Sequence, residues 1–203
     1  NTTMIEIAGL TKNYGDKPAL NGLDLHLKTG EIFALLGPNG AGKTTTLELI
    51  EGIREPDSGT IEVFGESPWP RNPALLPRIG VQHQGTAFFD LLSTREQLVT
   101  FADLYGVDHD RVDALLDKVG LSEFAKHPTK KLSGGQQQRL SIAGALVHSP
   151  ELVFLDEPSA ALDPQARRAL WDLLKGLNDG GQTVILTTHY MEEAQYLCDR
   201  VAI

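Results

Sequence analysis

Eight consecutive residues, Gly37-Pro38-Asn39-Gly40-Ala41-Gly42-Lys43-Thr44, stand between an apolar run over 31–36 and a segment over 43–53 with Leu47 and Ile50 at helical spacing. The run suits a parallel strand buried on both faces. G-x-x-x-x-G-K-[ST] between such a strand and a helix is the pattern of a phosphate-binding loop. Glycines let the backbone curl around the phosphates, Lys43 adds a charge, and the Thr44 hydroxyl can ligate Mg²⁺. The chain is thereby committed to an α/β sheet with an anion site at one strand's C-terminal end.

Alternating residues over 4–8 and 23–27 read as half-buried strands, and the turn Pro56-Asp57-Ser58-Gly59 leads into a strand over 60–64. Between 85 and 149 the period becomes helical. Leu98, Phe101, Ala102 and Tyr105 recur at i, i+3, i+4, i+7, as do Val112, Leu115, Leu116 and Val119 before Gly120. Strand patterns resume at 152–156 and 183–187, with a helix over 164–178 that Asp163 caps and Pro164 opens. These 203 residues suffice for one α/β unit, with 1–84 and 150–203 as core and 85–149 as a helical insertion. The chain stops at Ile203 inside a strand-like stretch, so a shortened C-terminus is expected, and Asn1–Thr3 before Met4 read as a remnant.

A second motif chooses among phosphate-loop chemistries. Leu152-Val153-Phe154-Leu155-Asp156-Glu157 ends an apolar strand in two acids at the sheet edge where open α/β folds bind ligands. Asp156 is placed to hold Mg²⁺ through water, and Glu157 to polarise a water for in-line attack on a γ-phosphate. His189 follows the next strand at the same edge and can hydrogen-bond that phosphate, while Tyr14 can stack on a purine. Ser133-Gly134-Gly135 opens a helix taken to run from Gln136, which makes a second anion nest. One set of Mg²⁺ and base residues for two nests suggests that two chains share them in a two-fold dimer.

With a net charge of −9 and a pI near 5.1, broad attraction to nucleic acid or an anionic membrane is disfavoured. One cysteine, Cys198, excludes an internal disulfide framework and reads as a buried small hydrophobe, and no apolar run is long enough to span a bilayer.

These motifs, in this order, resemble the ATP-binding cassette family, the nucleotide-binding subunits of ABC transporters. GPNGAGKTT (37–45, through Thr45) looks like Walker A, VFLDEP (153–158) like Walker B, and LSGGQ (Leu132, Ser133, Gly134, Gly135, Gln136) like the family signature. Ser159 to Asp163 resembles the D-loop, with Ala161 where many relatives carry glycine, so reduced backbone freedom is expected there. Tyr14 matches the aromatic A-loop and His189 the switch histidine. Of Gln82 and Gln84, Gln84 aligns with the Q-loop glutamine, five residues after Ile79.

The resemblance implies a P-loop NTPase core with a mainly parallel sheet, an N-terminal antiparallel β part and an inserted helical subdomain. It implies ATP and Mg²⁺ as cofactors, with Thr44, Gln84 and Asp156 around the metal and Glu157, Gln84 and His189 in catalysis. Partners would be a second cassette, identical or not, and an integral membrane permease, placing the chain at the cytoplasmic face of a bacterial cell membrane, or in the cytoplasm when isolated.

The stretch Thr187-Thr188-His189-Tyr190-Met191-Glu192-Glu193-Ala194, continuing to Arg200, is similar to exporters of drugs, antibiotics or polysaccharides. An importer subunit, a soluble cassette ATPase acting on ribosomes or DNA, and a nucleotide sensor without turnover stay open. Phe88, Phe89, Leu91 and Leu92 are candidate permease contacts, against ordinary packing. Lys126, His127, Lys130 and Lys131 read as a solvated basic face.

Overall fold

A computed structural model describes residues 2–85 and 87–203, which leaves Asn1 and Thr86 outside the description. In chain order the elements are β1 (Thr3–Tyr14), β2 (Lys17–Lys28), β3 (Ile32–Leu36), α1 (Lys43–Ile50), β4 (Ser58–Val63) and β5 (Ile79–Gln82). Then come α2 (Thr94–Tyr105), α3 (Asp110–Lys118), α4 (Gly134–Leu146), β6 (Leu152–Asp156), α5 (Pro164–Asp179), β7 (Thr183–Thr188), α6 (Met191–Leu197) and β8 (Arg200–Ala202).

Five strands form a parallel sheet in the order β5-β6-β7-β3-β8, and a separate antiparallel sheet runs β2-β1-β4. In the parallel sheet, alternate side chains serve two cores. Ile32, Ala34, Leu36, Val153, Leu155, Val184 and Leu186 pack on α2–α5, while Phe33, Leu35, Leu152, Phe154 and Ile185 pack on β1, β4 and α1. Burial on both faces is why these strands read as unbroken apolar runs. Leu98, Val112, Leu116 and Leu140 of the helical segment share the first core, so α2–α4 continue the sheet's packing.

Local signals account for most boundaries. Asp163 Oδ1 accepts the Ala166 amide at 2.8 Å with Pro164 in the first turn of α5, as the sequence predicts. Ser93 and Glu96 close a capping box on α2, and Gly106 ends it. Several expectations shift, and β1 and β2 run well beyond the expected 4–8 and 23–27. Helix α1 stops at Ile50 rather than 53, because Gly52 takes φ +74°. Strand β4 spans Ser58–Val63, and Phe64 leaves it with φ +53° to turn through Gly65. Helix α4 begins at Gly134, two residues before the expected start, because Ser133 and Gln136 form a capping box that brings both glycines into the first turn. No helix among the described residues is long and apolar enough to cross a membrane.

Candidate functional site

The phosphate loop leaves β3 and is pinned to the neighbouring strand, with the Gly37 amide donating to Thr188 O at 3.2 Å. Gly42 caps α1 with φ +90°, and a Cβ there would lie 2.6 Å from the Ala19 carbonyl oxygen, so only glycine fits. No side chain caps α1. Its first N–H groups face the loop as an anion nest.

Lys43, the first residue of α1, is 8% exposed and its ammonium is held at three points. It donates to the Gly37 carbonyl, to Glu157 Oε1 at 3.1 Å and to Thr188 O at 3.4 Å. All three partners lie on the C-terminal side of neighbouring strands, which aims the ammonium into the loop.

Asp156 ends β6, buried. Its Oδ1 accepts the Thr187 hydroxyl at 2.5 Å and its Oδ2 the Thr44 hydroxyl at 3.4 Å. Glu157 follows with φ +45°, a left-handed conformation that costs a side-chain-bearing residue about 1–2 kcal/mol. The turn is held by its amide, which donates to Thr187 Oγ1 at 2.9 Å. Thr187 therefore orients both acids with one hydroxyl. The sequence signal for it is a hydroxyl residue at the buried end of the strand beside β6, and it was given no role above.

The Glu157 carboxylate collects the other candidates. Oε1 contacts Lys43 and His189 Nδ1, the latter at 3.4 Å, and Oε2 accepts the Gln84 amide at 2.7 Å. Burial pushes its pKa up, but the Lys43 hydrogen bond and charge, followed by His189, outweigh burial and hold it below the ordinary carboxylate value. Gln82, by contrast, is buried and donates to the His83 carbonyl.

A cavity of about 460 Å³ opens over the loop, lined by Tyr14, Ala19, Asn39, Gly40, Gly42, Lys43, Thr44, Thr45, Gln84 and Glu157. Tyr14 Oη reaches Thr45 Oγ1 at 3.4 Å. His189 and Pro38 line the adjoining cavity. None of the described residues lining the first cavity comes from 132–136. The oxygen donors of Thr44, Asp156 and Gln84 fit Mg²⁺, which binds through one or two carboxylates plus phosphates. Among the described residues no three His, Cys, Asp or Glu side chains gather into a metal cage.

The signature segment is built from another side. Leu132 is buried in the core with α2–α4. Ser133 Oγ accepts the Gln136 amide at 3.2 Å, which leaves the hydroxyl proton free to donate. A Cβ on Gly135 would stand 3.1 Å from Ala166 Cβ, so this glycine lets α4 approach α5. Ala161 adopts φ +60°, the conformation that glycine takes without strain. Asp163 is engaged as the α5 cap.

The apolar cluster at 88–92 divides: Phe88 packs on the core, while Phe89 and Leu91 are 63% and 91% exposed. Lys126, His127, Lys130 and Lys131 are exposed. Cys198 is part-buried, and burial followed by Glu193 and Asp199 pushes its thiol up to about 12.

Comparison with known proteins agrees with this geometry. Residues 20–160 match the model of the family described as ABC transporter. The linearmycin resistance ATP-binding protein LnrL of Bacillus subtilis (strain 168) is 41% identical over 98% of this chain and 66% of its own length. A Nod factor export ATP-binding protein I of Burkholderia orbicola (strain AU 1054) is 43% identical over 98% of this chain and 67% of its own. The chain thus spans about two thirds of the length of these curated relatives. Among solved structures, cbiO1 from Clostridium perfringens, described as part of the ABC transporter complex cbiONQ, superposes with a TM-score of 0.89 at 31% identity. That match covers 99% of this chain and 84% of the other. The phosphate loop of this chain, the paired acids at the end of its β6 and its match to the family over residues 20–160 agree, and the chain belongs to the ABC transporter family.

Proposed function

We propose that this chain is the ATP-hydrolysing part of an ABC exporter, closing as a dimer on Mg·ATP and driving a separate membrane domain. The observation that carries it is the convergence of Lys43, Gln84 and His189 on the single carboxylate of Glu157, beside an Asp156 already bonded to Thr44.

The chemistry follows from who holds whom. An incoming γ-phosphate competes for the Lys43 ammonium and loosens its pairing with Glu157. The freed carboxylate accepts a proton from a water as that water's oxygen forms a bond to the γ-phosphorus and the bond to the bridging oxygen of ADP breaks. Gln84 orients the carboxylate and His189 hydrogen-bonds the phosphoryl oxygens. When bound, Mg²⁺ neutralises charge on the β- and γ-phosphates, and Thr44, Asp156 and Gln84 would hold it. Ser133 and Gly135 of a second copy would cover the γ-phosphate with the α4 N-terminus.

Export is supported by the relatives named for antibiotic resistance and Nod factor export. A role on ribosomes or DNA is not favoured by these relatives or by the net charge of −9. A groove of about 510 Å³ between the sheet and the helical segment, lined by Ile53, Leu76, Phe101, Tyr105 and Gly144 among others, is offered as the permease dock.

The test is ATP turnover by the purified chain with and without Glu157→Gln. The variant should lose at least about 100-fold in kcat yet accumulate as dimer in Mg·ATP by light scattering. Full turnover in Glu157→Gln would remove Glu157 from the reaction, and a strictly monomeric variant at saturating Mg·ATP would remove the dimer.

A further inference from the structure

Tyr14 stands at the tip of the β1–β2 hairpin, 44% exposed, where the fold offers an aromatic ring little to pack on. Arg54, in the turn after α1, places its guanidinium carbon 5.2 Å from the ring centroid, over the face. Its Nε donates to Glu48 Oε2 at 2.5 Å, and Glu48 belongs to α1, the helix that begins with Lys43. The ring's hydroxyl edge is fixed separately, 3.4 Å from Thr45 Oγ1. The cavity over the phosphate loop is lined by Tyr14 and Thr45 but not by Arg54. The cation therefore covers one face of the ring, and the same Tyr14 lines the cavity.

We propose that Arg54 is a positioning residue for the nucleotide base: fixed by Glu48, it backs the Tyr14 ring so that the free face is set for a purine whose phosphates lie on 37–44. This rests on the ATP reading above and deepens it. A guanidinium within about 6 Å of a ring centroid is attracted by the ring's negative face, so the pair has a preferred geometry. A ring already ordered loses less freedom when a base stacks on it. Lys43, Thr45, Glu48 and Arg54 all lie on α1 or the turn after it, so one rigid element sets both the phosphate site and the base platform. The Lys43 ammonium serves the phosphates whatever the base, whereas Arg54 serves the base alone.

That division makes the test. Calorimetric titration of ATP and of tripolyphosphate, which carries no base, is run on the wild type, Arg54→Ala, Arg54→Lys, Tyr14→Ala and the double variant Arg54→Ala/Tyr14→Ala. Arg54→Ala should weaken ATP roughly three- to fivefold and leave tripolyphosphate unchanged. Arg54→Lys should recover most of the loss, since an ammonium can pair with Glu48 and sit over the ring, and the double variant should match Tyr14→Ala. Equal weakening of both ligands would make Arg54 a support of the fold and overturn the proposal. So would unchanged ATP affinity in Arg54→Ala, or a loss that persists without Tyr14. If the wild type binds tripolyphosphate as tightly as ATP, the base platform falls while the phosphate site stands. If it binds neither, the ATP reading itself fails.

Discussion

Lys43 Nζ lies 3.1 Å from Glu157 Oε1 with both side chains largely withdrawn from water, so the two residues proposed to hold the phosphate and to activate the water are each other's counter-ion. In the proposed reaction the pair would couple phosphate binding to the release of the base.

Replacing Lys43 tests this from both ends. Lys43→Ala should weaken ATP by at least about tenfold in a calorimetric titration, since a desolvated charge contact to phosphate is lost. Lys43 and His189 hold the Glu157 pKa down, so this acid stabilises the fold above its ordinary pKa and loses that contribution as the pH falls through its lowered value. In Lys43→Ala the burial cost keeps only the His189 compensation and the pKa rises, so thermal stability at neutral pH relative to pH 4 should shrink. An unchanged pH profile would show that the pair is not held in solution.

Ser133→Glu probes the signature. A carboxylate aimed at the γ-phosphate of a second copy should abolish the Mg·ATP dimer in light scattering, with ATP affinity of the monomer within about twofold of wild type. Ser133→Ala is the control: it loses the α4 cap, worth about 1 kcal/mol, and the hydroxyl proposed to face the γ-phosphate, but adds no charge. Dimer formation by Ser133→Glu would place this segment outside the interface.

Ala161 holds φ +60°, where a Cβ is crowded. Ala161→Gly should relieve that strain, partly offset by the greater freedom glycine gives the unfolded chain, for a net gain of roughly 0.5 kcal/mol. For a chain of this size that is about 1–2 °C in Tm by calorimetry. A fall in Tm would mean that the alanine is not strained.

Glu51 caps the end of α1 on the groove offered to the permease. Burial, with Glu48 and Asp156 adding and Arg71 opposing, raises its pKa from 4.5 to about 8. A raised acid keeps its proton in the folded state while the unfolded chain has lost it, so stability falls as pH rises between 4.5 and about 8 and is level above. The slope from this group is at most about 1.4 kcal/mol per pH unit. Glu51→Gln should flatten that fall and melt several degrees above wild type at pH 8.5. Parallel melting curves across pH would place a charged Glu51 in the native protein.

Those residues also mark where sequence reading stops. Strands β3, β6 and β7 were legible because burial on both faces wrote them as apolar runs, and the motifs at their ends followed. Strand β5, Ile79–Gln82, was not: four residues on the edge of the sheet, one of them glycine and one polar, leave no period to detect. Gln84 was aligned by resemblance, and it is the fold that brings it to Glu157 while Gln82 turns inward. Thr187, Arg54 and Glu51 escaped because each acts through a partner far along the chain or through burial, and neither is visible in local spacing.

The sheet order has a consequence for how the protein comes into being. Strand β3, which carries the phosphate loop, lies between β7 and β8. On the ribosome it emerges early and waits, unpaired in this sheet, until residues 183–202 have followed it out. Nothing before that moment can present Glu157, Thr188 and His189 to Lys43 together. The nascent chain therefore lacks the Lys43 partners of β6 and β7 until both strands have joined the sheet beside β3.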